Sequence, residues 1–117
     1  MQLSEIQYEN ATPIDGYGPG FYRIGGKVFD GAVLTRLAGT VQWGGYDDVA
    51  TLLGLAEEID VLLVGTGPEI AHIPPVLRTR LEEAGIGVEI MNSPAACRTY
   101  NVLLSEGRRV AAALLPM

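Results

Sequence analysis

Apolar residues fall along this chain in two rhythms, and the change comes near residue 46. Before it, short apolar runs alternate with glycines. Phe21-Tyr22-Arg23-Ile24 and Lys27-Val28-Phe29 flank Gly25-Gly26, a two-residue hairpin signal. Residues 32–37 and 40–43 read as two more strands, joined by Ala38-Gly39. Residues 14–20 hold Gly16, Gly18, Pro19 and Gly20, a density that predicts a loop. Beyond residue 46 the pattern becomes strand, helix, strand, helix, strand. Val61-Leu62-Leu63-Val64 is continuously apolar, as a strand covered on both faces should be. Ile86, Val88 and Ile90 alternate with Gly87, Glu89 and Met91, so that strand is half covered. Residues 110–115 form the last strand.

Three helices precede or separate these strands. The first is expected over about residues 47–58, with Val49, Leu52, Leu53, Leu55, Ala56 and Ile59 on one half of its wheel. Asp47 or Asp48 can cap it. The second is expected over residues 75–84, with Val76, Leu77, Leu81 and Ala84 as its stripe and Gly85 as its stop. Arg80 projects on that side and should pack its stem while its head reaches water. The third runs over about residues 94–106, with Ser93 as N-cap, Pro94 at the first position and Gly107 closing it. Ala96, Cys97, Tyr100, Leu103 and Leu104 form its apolar arc, with Arg98, Asn101 and Ser105 beside it. Strands separated by helices imply parallel pairing through right-handed crossovers. The fold class is therefore α/β, with antiparallel N-terminal strands joined to a C-terminal βαβαβ unit in a mixed sheet.

A length of 117 residues fits one domain, taken as residues 1–117, large enough to fold without staples. Eight basic residues against 14 acidic give a net charge of −6, which argues against nucleic acid or anionic lipid as partner. One cysteine and one histidine can build neither an internal disulfide nor a four-ligand zinc site, so no metal is expected. Residues 110–116, the longest apolar run, are too few to span a bilayer, so no membrane insertion is expected. The first residues lack both the basic and apolar regions of a secretory signal and the Arg- and Ser-rich character of a mitochondrial presequence. A cytoplasmic location and a bacterial source are the expectation.

Three constellations invite a chemical reading. Gly65-Thr66-Gly67 follows the apolar strand, where open α/β sheets bind ligands outside their carboxyl ends. The dinucleotide fingerprint fails, because Ile70 stands where a third glycine is needed and no acidic residue closes the next strand. No cofactor is therefore expected. Asn92, Ser93 and Arg98 should stand beside this turn at the start of the third helix. Together with Gly65, Thr66 and Gly67 they could hold a small anion, or could simply be a tight turn, a cap and a solvated arginine. Cys97 lies where a helix dipole can lower a thiol pKa, with His72 as a conceivable base, yet its place on the apolar arc favours a buried core thiol. Core packing accounts for Phe21 and Trp43, while Tyr22 and Trp43, in a glycine-rich half, could instead anchor a protein partner. One of Arg108 and Arg109 should pair with a nearby carboxylate.

The motifs as a set resemble a known family. Gly18-Pro19-Gly20-Phe21-Tyr22-Arg23-Ile24 precedes a hairpin, and Gly65-Thr66-Gly67 follows a buried strand. Ala95-Ala96-Cys97-Arg98-Thr99-Tyr100-Asn101-Val102-Leu103-Leu104 leads into Glu106-Gly107-Arg108-Arg109-Val110-Ala111-Ala112-Ala113-Leu114. From about Ile14 onward this looks like the Mth-domain family, also called domain of unknown function 498. That family often carries Met-Asp-Thr where this chain has Met91-Asn92-Ser93, and Gly-Ser where it has Gly31-Ala32. The resemblance implies a compact three-layer α/β domain without a settled enzymatic activity. A mitochondrial member assists assembly of respiratory complex I by binding other proteins, and bacterial members often sit genetically beside protein-export components. The implied role is a non-catalytic protein-binding or assembly-accessory module, whose partners would be membrane-complex assembly or export machinery. The alternative is small-anion or metabolite binding at the carboxyl ends of the parallel strands. A homo-oligomer is compatible with either.

Overall fold

The strand Val110–Leu114 shows how the fold is organised. Ala111 and Ala113 face one way, Val110, Ala112 and Leu114 the other, and all five are buried. A strand covered on both sides belongs inside a sheet. In the computed structural model, which describes residues 11–117, it lies at the centre of one. The strands are β1 (Ile14–Gly18), β2 (Phe21–Ile24), β3 (Lys27–Asp30), β4 (Val33–Arg36), β5 (Gly39–Gln42), β6 (Val61–Gly65), β7 (Gly87–Met91) and β8 (Val110–Leu114). The first three form an antiparallel sheet in the order β1-β2-β3; the other five form a mixed sheet in the order β5-β4-β8-β6-β7. β8 pairs antiparallel with β4 and parallel with β6, and so joins the two halves of the chain.

The helices are α1 (Val49–Leu53), α2 (Pro75–Glu83) and α3 (Ser93–Ser105). From β6 the chain crosses to β7 through α2, then back past β6 to β8 through α3. Right-handed crossovers in opposite directions require helices on opposite faces, and the two cores have that arrangement. On one face Leu34, Leu62, Val64, Ala111 and Ala113 meet Trp43, Leu52, Leu77 and Leu81. On the other, Val33, Leu63, Ala112 and Leu114 meet Ala96, Cys97, Tyr100 and Leu104 of α3, together with Tyr22 and Ile24 of the small sheet. Each fully buried Leu or Val in these layers contributes about 1.5–3 kcal/mol.

The structure departs from the sequence pattern in several places. Residues 14–18, expected as loop, are a strand with an irregularity between Ile14 and Gly16. Its glycines make room, since a Cβ on Gly18 would stand 2.5 Å from the Phe21 ring that lies over it. The antiparallel strands divide into two sheets, while Gly25 and Gly26, with φ of 59° and 79°, make the hairpin turn as expected. The β4–β5 loop is Leu37-Ala38, one residue earlier than expected. The first helix is short: a 3₁₀ turn over Gly45–Asp47, then α1, then tight turns after Gly54 with bonds such as Leu55 N–H to Leu52 O. Gly54 weakens helix propagation, yet Leu52, Leu55 and Ile59 are buried as the wheel required. On α2 only Leu77 and Leu81 are buried; Val76 is 72% exposed and Arg80 is exposed.

Candidate functional site

The parallel strands place Gly65, Met91 and Leu114 side by side at one end of the sheet. Every residue proposed for anion binding lies at or near this end, and the structure shows what the polar groups there do. Asn92, not Ser93, caps α3: its Oδ1 accepts the Ala95 N–H at 2.8 Å. An amide serves this bond as well as a carboxylate would. Ser93, freed from capping, is completely buried. Its Oγ accepts the Gly67 N–H at 2.9 Å and donates to Leu115 O at 3.3 Å. The Tyr22 hydroxyl donates to the same carbonyl at 2.5 Å. A continuous network therefore ties the β6 loop, the start of α3, the C-terminal segment and the small sheet together.

The other donors are committed too. Thr66 N–H bonds Met91 O at 3.0 Å, and Ser93 N–H bonds Gly67 O at 2.7 Å. Thr66 Oγ1 donates to Glu69 O at 2.7 Å and accepts the Ala71 N–H at 3.1 Å. An anion entering here would have to displace these bonds. Gly65 fits for want of space: a Cβ would stand 2.7 Å from Leu114 Cδ2, 2.8 Å from Ser93 Oγ and 3.0 Å from Ser93 Cα. Gly67 has φ of 97°, a conformation that favours glycine. Arg98 is exposed on the first turns of α3. The depression nearest this end, about 270 Å³, is lined by Ile70, Ala71, His72 and Ile90 rather than by the proposed set.

The aromatic anchors require correction. Tyr22 is 0% exposed and Trp43 4%, so neither presents its ring to a partner. Tyr22 alternates inward on β2, and burial pushes its phenol up to about 12. Trp43 packs edge-on against Tyr46, with centroids 6.0 Å apart. Cys97 is a core thiol: burial raises its pKa to about 12, and Arg98 opposes that only in part. The helix-dipole argument fails because desolvation dominates. Among the described residues no group of three His, Cys, Asp or Glu is placed to hold a metal. No described helix is long and apolar enough to cross a membrane.

Two features escaped the sequence reading. Asn101 on α3 faces β1: its Oδ1 accepts the Ile14 N–H at 2.8 Å and its Nδ2 donates to Ile14 O at 2.9 Å. The sequence showed only a polar residue beside an apolar arc. A depression lies at the opposite end of the sheet, rimmed by Arg36, Leu37, Ala38 and Arg108 over the buried Ile59 and Leu104. Its one sequence signal was an apolar hairpin tip, Leu37-Ala38, where turns ordinarily carry polar residues. Arg109 pairs with Asp60 at 3.5 Å, as one of the two adjacent arginines should.

A small antiparallel sheet bound through α3 to a mixed five-stranded sheet defines a domain of the Mth938-like class. A solved Bordetella pertussis protein described as a Mth938-like domain superposes with a TM-score of 0.75 at 32% identity, covering 90% of this chain and 85% of that one. The chain belongs to the family described as protein of unknown function (DUF498/DUF598), whose model matches residues 14–115. It is 53% identical to an uncharacterised protein of Rhodobacter capsulatus over 100% of this chain and 94% of that protein. It is 34% identical to the mouse protein NADH dehydrogenase [ubiquinone] 1 alpha subcomplex assembly factor 3, over 99% of this chain and 66% of that protein. The chain thus spans about two thirds of the mouse assembly factor's length.

Proposed function

We propose that this chain is an accessory factor in the assembly of a respiratory NADH dehydrogenase, acting by binding components of that complex and not by catalysis. The observation that carries this reading is the similarity to the mouse assembly factor across 99% of the chain. The site geometry supports it. The end of the sheet where α/β enzymes ordinarily bind substrates is here knitted together by Tyr22, Ser93 and Gly67. That network stiffens a platform whose exposed side chains, such as Leu37, Val76 and Val102, are available to a partner. We assign this role to residues 1–117 as one domain acting in the cytoplasm.

The test is to delete the gene in its source cells and resolve membranes on native gels stained for NADH dehydrogenase activity. The assembled complex should fall and return when the chain is restored. An unchanged complex would overturn the assignment.

A further inference from the structure

An edge strand offers unpaired N–H and C=O groups to any second strand that reaches it. The two sheets have four edges, β1, β3, β5 and β7, and three of them are guarded. On β1 the Ile14 N–H and C=O are taken by the Asn101 amide. β3 carries exposed Lys27 and Asp30. On β7 the Arg78 guanidinium donates to Val88 O at 3.3 Å, and Glu89 is exposed beside it. β5 has no such guard: Gly39-Thr40-Val41-Gln42 carries no charge and no proline, and its pairing with β4 has no bulge. The alternation of its bonds is fixed at both ends. The two-residue turn Leu37-Ala38 closes Arg36 on Gly39, and Trp43 N–H bonds Ala32 O at 3.0 Å. Bonded pairs alternate with non-bonded ones in an antiparallel ladder, so Gly39, Val41 and Trp43 bond back to β4. Thr40 and Gln42 turn their N–H and C=O outward, and these four groups have no partner among the described residues. Val41, on the face of Leu34, is 44% exposed.

We propose that β5 pairs antiparallel with β5 of a second copy, about a two-fold axis at Val41, joining the two five-stranded sheets into one continuous sheet. The strand is its own complement in this register. Thr40 lies opposite Gln42 of the second copy and Gln42 opposite its Thr40, so every outward group finds a bond. The two Val41 side chains meet between these pairs, β-branched against β-branched, with the polar side chains together on the other face. A register centred on Thr40 or on Gln42 would instead set the other residue opposite Ala38 or Gly44, beyond the strand. The seam holds no charge, so two copies of net charge −6 bring no like charges into contact there. Four residues a side make an interface smaller than the standard of about 1,200–2,000 Å², so the pairing is weak and concentration-dependent. The proposal goes beyond the assembly reading, and either can hold without the other.

The test is sedimentation equilibrium of the full-length chain from about 10 μM to about 1 mM, the range of a weak association. The mean mass should rise from 12.5 kDa towards twice that value, and added salt should not lower it, because no ion pair crosses the seam. Val41→Lys should hold the chain monomeric throughout, and so should Gln42→Pro, which removes an outward N–H and leaves the ladder to β4 intact. Val76→Lys, on an equally exposed apolar residue of α2, should leave the association unchanged. A non-bonded antiparallel pair brings its Cα atoms to about 4.5 Å, within disulfide reach. Val41→Cys should therefore cross-link under diamide while Val76→Cys does not; Cys97 is buried and does not compete. Thermal midpoints measured at the dilute end should match the parent for both Val41 variants, showing that the fold is kept. A chain that stays monomeric at about 1 mM would overturn the proposal. So would an association that survives both Val41→Lys and Gln42→Pro, one lost on Val76→Lys, or a Val41→Cys variant that does not cross-link.

Discussion

Replacing Ser93 by alanine isolates the network that closes the carboxyl end of the sheet. Ser93 is completely buried, so alanine fits its space and removes one oxygen. That oxygen is the acceptor for the Gly67 N–H, itself on a buried residue. Leu115 O loses one donor but keeps the Tyr22 hydroxyl. The cost is therefore dominated by one orphaned amide, about 2 kcal/mol. For 117 residues, an unfolding entropy of about 2.1 cal/mol/K per residue makes that a fall in Tm of about 8 °C. Thermal unfolding followed by circular dichroism reads this directly. Tyr22→Phe alone should cost about 1 kcal/mol, because Ser93 still serves Leu115 O. The double variant strips that carbonyl of both side-chain donors, so it should exceed the sum of the singles by about 1 kcal/mol. A Ser93→Ala variant within about 0.5 kcal/mol of the parent would refute the reasoning. The Gly67 amide would then have found water, and the end of the sheet would be wet and open to a ligand.

Two further predictions rest on titrating groups. Cys97, buried and with its pKa pushed up to about 12, should resist a thiol reagent at pH 8 in the native protein and react at once in denaturant. Because its folded pKa lies above its unfolded one of about 8.5, its contribution should erode stability only as pH rises above about 8.5, and Cys97→Ala should flatten that part of the alkaline limb; rapid native labelling would sink the prediction. Asp48 is held below the usual carboxylate range, first by the Thr51 hydroxyl and then by the Gly44 N–H. A depressed carboxylate stabilises above its unfolded pKa of about 3.9 and loses that contribution as pH falls through the lower folded value. The Tm difference between parent and Asp48→Asn should thus be present at neutral pH and shrink in acid; a difference that persists there would contradict it.

What the sequence made legible follows from which interactions are local. Val61-Leu62-Leu63-Val64 and the run ending at Leu114 announce doubly covered strands, because burial on both faces leaves no room for polar alternation. Gly25-Gly26, Gly85 and Gly107 mark turns through their own backbone needs, and all four glycines have positive φ. The strand Ile14–Gly18 was hidden because its glycines serve a distant requirement, the Phe21 ring and the Arg23 side chain opposite them. Ser93 was misread for a related reason. Spacing proposes Ser93 as the cap, but the approach of Gly67 and Leu115 engages its hydroxyl and Asn92 caps the helix instead. The aromatic reading failed in the same way: Tyr22 looks exposed in a glycine-rich segment until α3 covers it.

The carboxyl end of the main sheet is closed where a crevice was expected, and the connectivity explains why. A carboxyl end becomes a ligand crevice when crossovers leave in opposite directions and the loops part. Here the C-terminal segment turns back across that end: Leu115 N–H bonds Gly65 O at 2.8 Å, and Gly20 N–H bonds Met117 O at 3.2 Å. The gap between the loops is thereby filled by the chain itself, and its donors are consumed. The amino-terminal end receives no such strap from the C-terminal segment. There β8 begins only after Gly107-Arg108-Arg109, and the β4–β5 hairpin stops short at Leu37-Ala38, so exposed arginines and an apolar hairpin tip stand over the buried Ile59, Leu104 and Val110. Candidate residues chosen by the general rule for α/β sheets therefore fall on the network that holds this domain together. At the other end Arg36 and Arg109 are paired, and Arg108 is the arginine there without an ion pair among the described residues.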